Sequence, residues 1–172
     1  EAALVAAAGR IVREGHPRVA PDFVPGLLSH AAPEDLLRYD ARSLAALAVG
    51  AWELLEQREP GVPLVRFAPP ANGGPTADSV IEIVNDDMPF LLDSVLGELG
   101  ERGIEVRFVV HPVFSVLRDP SGRLTACTAG RSSVPGAMRE SFIHLHVEAI
   151  DDDRRRAEIV HGIEMAFADV RA

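Results

Sequence analysis

The chain contains no lysine. All 17 basic residues are arginine, set against 26 acidic ones, for a formal net charge of −9. A site that depends on a lysine ammonium to hold substrate or to assist imine chemistry is thereby excluded. Nucleic-acid binding normally leaves a basic patch. Here Arg154, Arg155 and Arg156 sit beside Asp151, Asp152 and Asp153 and read as a solvated, partly self-neutralised helix start. The single cysteine, Cys127, rules out an internal disulfide framework, has no CxxC partner and fits a reducing cytoplasm. No stretch reaches the roughly 18 uninterrupted apolar residues of a membrane span, and the opening EAALVAAAGRIVREG reads as an amphipathic helix rather than a signal peptide. No G-x-G-x-x-G follows a strand, because Gly97, Gly100 and Gly103 are wrongly spaced for a dinucleotide fingerprint and fall along a helix. Ser94, Ser115 and Ser141 lie in regular elements, outside any G-x-S-x-G elbow.

What is present is organised around residues 79–119. Val80, Ile81, Ile83 and Val84 are apolar and largely β-branched, which suits a pleated sheet. Asn85, Asp86 and Asp87 interrupt them. Either aspartate has the chemistry to cap a following helix, with Pro89 in its first turn. Leu91, Leu92, Val95, Leu96 and Leu99 then recur at helical spacing, and Gly103 ends the helix. Residues 104–117 return as a long β-rich run. So short a crossover predicts a right-handed βαβ unit with parallel strands and the helix on one sheet face.

The run DDMPFLLDSVLGELGERGIEV resembles the signature of ACT domains, in which an Asp-x-Pro-Gly-Leu-Leu type turn leads from the first strand into a helix. More closely, IEIVNDDMPFLLDSV followed by HPVFSVLRDPSG is similar to the N-terminal region of the large bacterial NAD-dependent glutamate dehydrogenases, over roughly residues 79–122. The resemblance implies a non-catalytic regulatory or assembly module within a cytoplasmic parent enzyme that oxidises L-glutamate to 2-oxoglutarate and ammonia with NAD. Such enzymes use lysines for substrate and imine chemistry, so a lysine-free segment is not the catalytic part, and NAD belongs to the parent. The implied partners are the remaining domains of the parent chain, a homo-oligomer and a small amino-acid effector. A free-standing amino-acid sensor acting on a partner protein is the alternative. The start without methionine suggests an excised fragment.

Three helices are predicted ahead of the sheet: residues 2–14, a short one after Asp22, and one of about 25 residues from Pro33 to a stop at Pro60 and Gly61. They form a helical subdomain, residues 1–60, leaning on an ACT-like βαββα domain, residues 61–172. A strand at 62–67 is expected to pair antiparallel with residues 79–84 through a flexible turn over 69–78. Residues 119–122 form a tight turn. Residues 123–139 read as an exposed excursion with a short extended piece near 124–127. Residues 140–150 alternate, with Ile143, Leu145 and Val147 on one face and Phe142, His144, His146 and Glu148 on the other. A final helix from Asp151 or Asp152 offers Ala157, Val160, Ile163, Met165 and Phe167 for burial. The fold class is α+β: a ferredoxin-like, ACT-type sheet of about four strands with two helices on one face. The strand at 62–67 takes the edge that a last strand beyond Ala172 would otherwise fill.

By the resemblance, the effector site falls on Asn85, Asp86, Asp87, Met88 and Phe90, where helix N–H groups hold a carboxylate. Phe90 replaces the family's glycine, and its side chain occupies the space a ligand needs. Helix capping and packing is the other reading of the same residues. His144 and His146 share a strand face with His111 on a neighbouring strand, a pattern open to zinc or, without a metal, to a polar sheet face covered by a neighbouring domain or subunit. Glu82, Asp86 and Asp87 are too unconstrained to serve as paired catalytic carboxylates.

Overall fold

The computed structural model describes residues 1–68, 78–130, 132 and 134–171. Small and aliphatic residues at helical spacing build α1 (Ala2–Gly15) and α2 (Phe23–Leu28). The long helix expected after Pro33 is two: α3 (Pro33–Leu36) and α4 (Ala41–Leu55). The break has a local cause. Asp40 adopts an extended backbone (φ −86°, ψ 169°) and its carboxylate accepts from the Ser43 N–H at 2.7 Å, so it starts a new helix instead of continuing the old one. Leu37, expected in the apolar stripe, is consequently 63% exposed.

The sheet is antiparallel and has six strands among the described residues, two more than expected: β1 (Leu64–Ala68), β2 (Ser79–Asp86), β3 (Val106–Val110), β4 (Val113–Arg118), β5 (Leu124–Ala129) and β6 (Met138–Val147). The spatial order is β1-β2-β6-β4-β5, with β3 also on β6. Two features account for the extra strands. The run 104–117 is cut at His111 and Pro112, and its halves pair with successive parts of β6, Val110 opposite His144 and Val113 opposite Ser141. The excursion after residue 122 is a full strand, Phe114 to Leu117 pairing with Ala129 to Ala126. β1 takes the predicted edge beside β2, in register Leu64–Val84 to Ala68–Val80. The turn expected over 69–78 lies, apart from Asp78, outside the described residues. β2 and β3 run in the same direction, but β6 lies between them and is antiparallel to both.

Each face of the sheet is covered. Ile81, Ile83, Ile143, Leu145 and Val147 meet α5 (Leu91–Glu101) and α6 (Asp153–Arg171) through Leu91, Val95, Leu99, Ile159, Ile163 and Phe167. Met165, expected to be buried, is 51% exposed because the α6 stripe runs through 159, 163 and 167. On the other face Val84, Phe108, Phe114, Val116 and Phe142 meet α1, α2 and α4 through Val12, Phe23, Leu27, Leu44 and Leu55. Phe23 stacks on Phe114 at 5.3 Å and meets Trp52 edge-on at 5.0 Å. Burial on two faces explains why all but the last residue of β2 is buried. Among the described residues no helix is long and apolar enough to cross a membrane.

Candidate functional site

β2 ends in Asn85 and Asp86 and delivers the chain to the turn before α5. Neither aspartate caps that helix: Phe90 occupies the N-cap position, no side chain bonds the first turn, and Phe90 has a left-handed backbone (φ 68°, ψ 11°). A left-handed bulky residue is uncommon, since its Cβ crowds the carbonyl. Here it stands where the resemblance expects glycine, and the residue is 71% exposed. The predicted role of Pro89 shifts accordingly, since it precedes the helix rather than lying in its first turn.

The aspartates are held from behind. Asp86 Oδ1 accepts from Arg58 Nη1 at 2.9 Å, and the same nitrogen donates to Glu140 Oε2 at 2.8 Å. Arg118 clamps Glu140 from the other side, through Nε at 3.0 Å and Nη2 at 2.8 Å. Both arginine side chains and Glu140 are buried, whereas the Asp86 side chain is 35% exposed. The Arg58 backbone N–H also donates to the Gly122 carbonyl at 3.0 Å. Gly122 has φ 89°, and a Cβ there would lie 2.3 Å from the Arg58 carbonyl oxygen, so glycine is required for the β4–β5 turn to approach this segment. Asp87 accepts from the Ser141 hydroxyl at 2.8 Å, and its backbone N–H donates to the Arg139 carbonyl. Asn85 is buried and its side-chain amide donates to the Asp86 carbonyl at 3.2 Å. Met88 packs partly into the cluster beneath α5. The five residues singled out in the sequence are thus contiguous at one sheet end, with Asp86 and Asp87 engaged internally and Phe90 pointing outward.

The histidine face lies on the opposite side of the sheet from α5. His144 Nδ1 is 3.1 Å from Glu82 Oε2, and Arg66 pairs with the other oxygen of Glu82. Burial pushes the Glu82 carboxyl up, but His144 and Arg66 outweigh it and its pKa is lowered. His146 Nδ1 is 2.7 Å from the Tyr39 hydroxyl, and the two imidazoles lie 4.9 Å apart. Burial first, then the neighbouring His144, lowers the His146 pKa to about 4. This face is covered by the chain's own helical layer, since the Tyr39 ring packs on Phe108 at 5.1 Å. His111 stands apart in the β3–β4 break, where burial lowers its pKa against the opposing pull of Asp87. Among the described residues no group of three or more His, Cys, Asp or Glu is placed to hold a metal ion.

Other singled-out groups take structural roles. Burial raises the Cys127 thiol to about 12. Ser115 donates to the Gly130 carbonyl at 2.5 Å. Arg154 pairs with Glu158 at 3.6 Å on exposed surface, and Arg156 with Asp153. Sequence reasoning missed Arg58, Arg118, Glu140, Arg66 and Tyr39. For Arg58 the available signal was weak, a charged residue between a helix end and a proline. The signal for Glu140 was stronger, since it stands in the alternating run 140–150.

Comparison with known proteins adds a family. The profile described as "Glutamate dehydrogenase, ACT1 domain" matches residues 23–163. The NAD-specific glutamate dehydrogenase of Halomonas elongata is 29% identical over 141 residues, 80% of this chain and 9% of that protein. That of Pseudomonas aeruginosa is 28% identical over 129 residues, 73% and 8%. That of Mycobacterium tuberculosis is 27% identical over 110 residues, 64% and 6%. The chain therefore spans less than a tenth of the length of each of these relatives. No solved structure matches the chain significantly.

Proposed function

The chain belongs to the glutamate dehydrogenase ACT1 domain family, and from that premise we propose that it is a non-catalytic regulatory and assembly domain of a large, cytoplasmic NAD-specific glutamate dehydrogenase. The parent enzyme oxidises L-glutamate to 2-oxoglutarate and ammonia with NAD, and other domains bind the cofactor and do the chemistry. The observation that carries this reading is the Arg58 bridge. One buried guanidinium joins the segment after α4 to Asp86 at the mouth of the acidic turn and to Glu140 on the central strand. A change at the turn is therefore felt in the helical layer and the sheet together, which is what a domain that shifts a pre-existing equilibrium needs. The absence of lysine supports the division of labour.

Within this reading, β2, α5, the β3–β4 pair, β6 and α6 form a ferredoxin-like ACT unit, residues 61–172, with β1 replacing its last strand. Residues 1–60 are a helical subdomain docked on its far face. Asn85, Asp86, Asp87, Met88 and Phe90 form the effector position, and the domain works in a homo-oligomer. An effector bound there uses backbone N–H groups for its carboxylate, because Asp86 and Asp87 are already paired. Isothermal titration of the chain with glutamate, aspartate and arginine tests the effector position; saturable heat with at least one of them is expected, and silence with all three removes effector sensing and leaves assembly. Turnover of glutamate and NAD by the chain alone would end the non-catalytic reading.

A further inference from the structure

Phe90 combines two unfavourable features in one residue. Its backbone is left-handed, and the residue is 71% exposed at the start of α5. Neither is needed to close the turn, which a glycine would make without strain. Asp93, exposed in the first turn of α5, gives this aromatic knob an acidic flank.

The opposite layer of the molecule carries a depression. An open groove of about 660 Å³ runs between α1 and α2, with Val5, Ala6, Gly9 and Leu28 among its apolar lining, and Arg10 and Arg13 contributing positive charge against the single carboxylate of Glu1. Among the described residues, Asp93, Arg10 and Arg13 form no ion pair. The knob belongs to the α5–α6 layer and the groove to the α1–α4 layer, with the sheet between them. One copy therefore cannot satisfy both.

We propose that Phe90 of one copy docks in the α1–α2 groove of a second copy, with Asp93 facing Arg10 and Arg13. The proposal specifies the contact behind the assembly half of the reading above. Charge selects the occupant. A chain of net charge −9 repels itself over most of its surface, and this groove, with two unpaired arginines against one glutamate, offers net positive charge to an acidic knob. The contact is heterologous, since the knob and the groove are different surfaces, so each copy leaves one of each free and assembly proceeds to a ring or a row rather than stopping at a pair.

Sedimentation velocity over a concentration series tests this on the chain itself, with benzophenylalanine at position 90 for photo-crosslinking. Concentration-dependent association is expected, with crosslinks falling within residues 1–29 of the other copy. Phe90→Gly and the groove-filling Ala6→Trp each weaken association by more than about tenfold, as for a buried aromatic anchor. Phe90→Gly melts no lower than the parent, which separates lost docking from lost folding. Asp93→Arg weakens association, and Arg10→Glu with Arg13→Glu in the same chain restores it. A monomer at every concentration, association unchanged by Phe90→Gly, or crosslinks confined to other regions overturns the proposal. Calorimetric silence toward amino acids removes the effector position and leaves this contact standing.

Discussion

The guanidinium of Arg58 bridges Asp86 and Glu140 with a single nitrogen, 2.9 Å from one carboxylate and 2.8 Å from the other, with its side chain fully buried. Removing it strands Glu140 in the interior opposite Arg118 alone. Arg58→Met should lower the unfolding free energy by about 2–3 kcal/mol, since Glu140 keeps its pair with Arg118 but loses a charged hydrogen bond, and Asp86 and the Val62 carbonyl lose their donors. Asp86→Asn should cost only about 1 kcal/mol, because that carboxylate is partly solvated and Glu140 still neutralises Arg58. Urea denaturation of the two variants checks the ordering; equal losses would mean that the bridge is not asymmetric.

Tyr39 ties the turn between α3 and α4 to the sheet. Its hydroxyl lies 2.7 Å from His146 Nδ1. Tyr39→Phe keeps the ring against Phe108 but leaves a buried imidazole nitrogen without its partner. A loss of about 1–3 kcal/mol is expected, with hydrogen exchange rising in α3 and at the start of α4 before it rises in β6.

Acid should loosen the same interface. His146 has a folded pKa of about 4 against an ordinary value of 6.5, so the folded state resists its protonation. Its contribution to stability is complete above pH 6.5 and is lost progressively as pH falls toward 4. The lowered pKa of Glu82 acts in a separate window, since that carboxylate contributes above its ordinary value of 4.5 and loses its contribution only below it. The urea midpoint should therefore begin to drop between pH 6.5 and 4.5, and His146→Gln should reduce the slope of that limb, leaving the share of His111, whose pKa burial also lowers, and the steeper fall below pH 4.5. An unchanged slope in the variant would remove His146 from the account.

Cys127 should be inert in the native state. Its thiol is buried and its pKa is raised to about 12, so almost no thiolate exists at pH 8. A chromogenic disulfide reagent should report no reactive thiol in buffer and one in denaturant. Rapid native labelling would show that β5 opens readily.

Much of this architecture is legible in the sequence where one periodicity dominates. The alternation at 140–150 places Ile143, Leu145 and Val147 correctly opposite Phe142, His144 and His146, and the leucine spacing from 91 to 99 places α5. The errors fall where a single side chain overrides the pattern. Asp40 divides a helix whose apolar positions resume beyond it at Leu44, because a cap depends on one hydrogen bond that periodicity does not register. Pro112 divides a β-rich run, and the polar, glycine-containing stretch after it conceals β5, whose pairing with β4 is a non-local fact. At the candidate site the acidic turn is readable, but what holds it is not: Arg58 reaches Glu140 across 82 positions of chain, and no local pattern encodes that distance.

The position of β6 has a consequence for biosynthesis. This strand begins at Met138 and is the one to which β2, β3 and β4 all bond. While the chain emerges from the ribosome, the isoleucines of β2 and the valines of β3 and β4 wait without the partner that orders them. The sheet closes only when residues 138–147 have emerged, so a chain stopped short of Met138 is expected to leave one edge each of β2 and β4 unpaired and more open to protease.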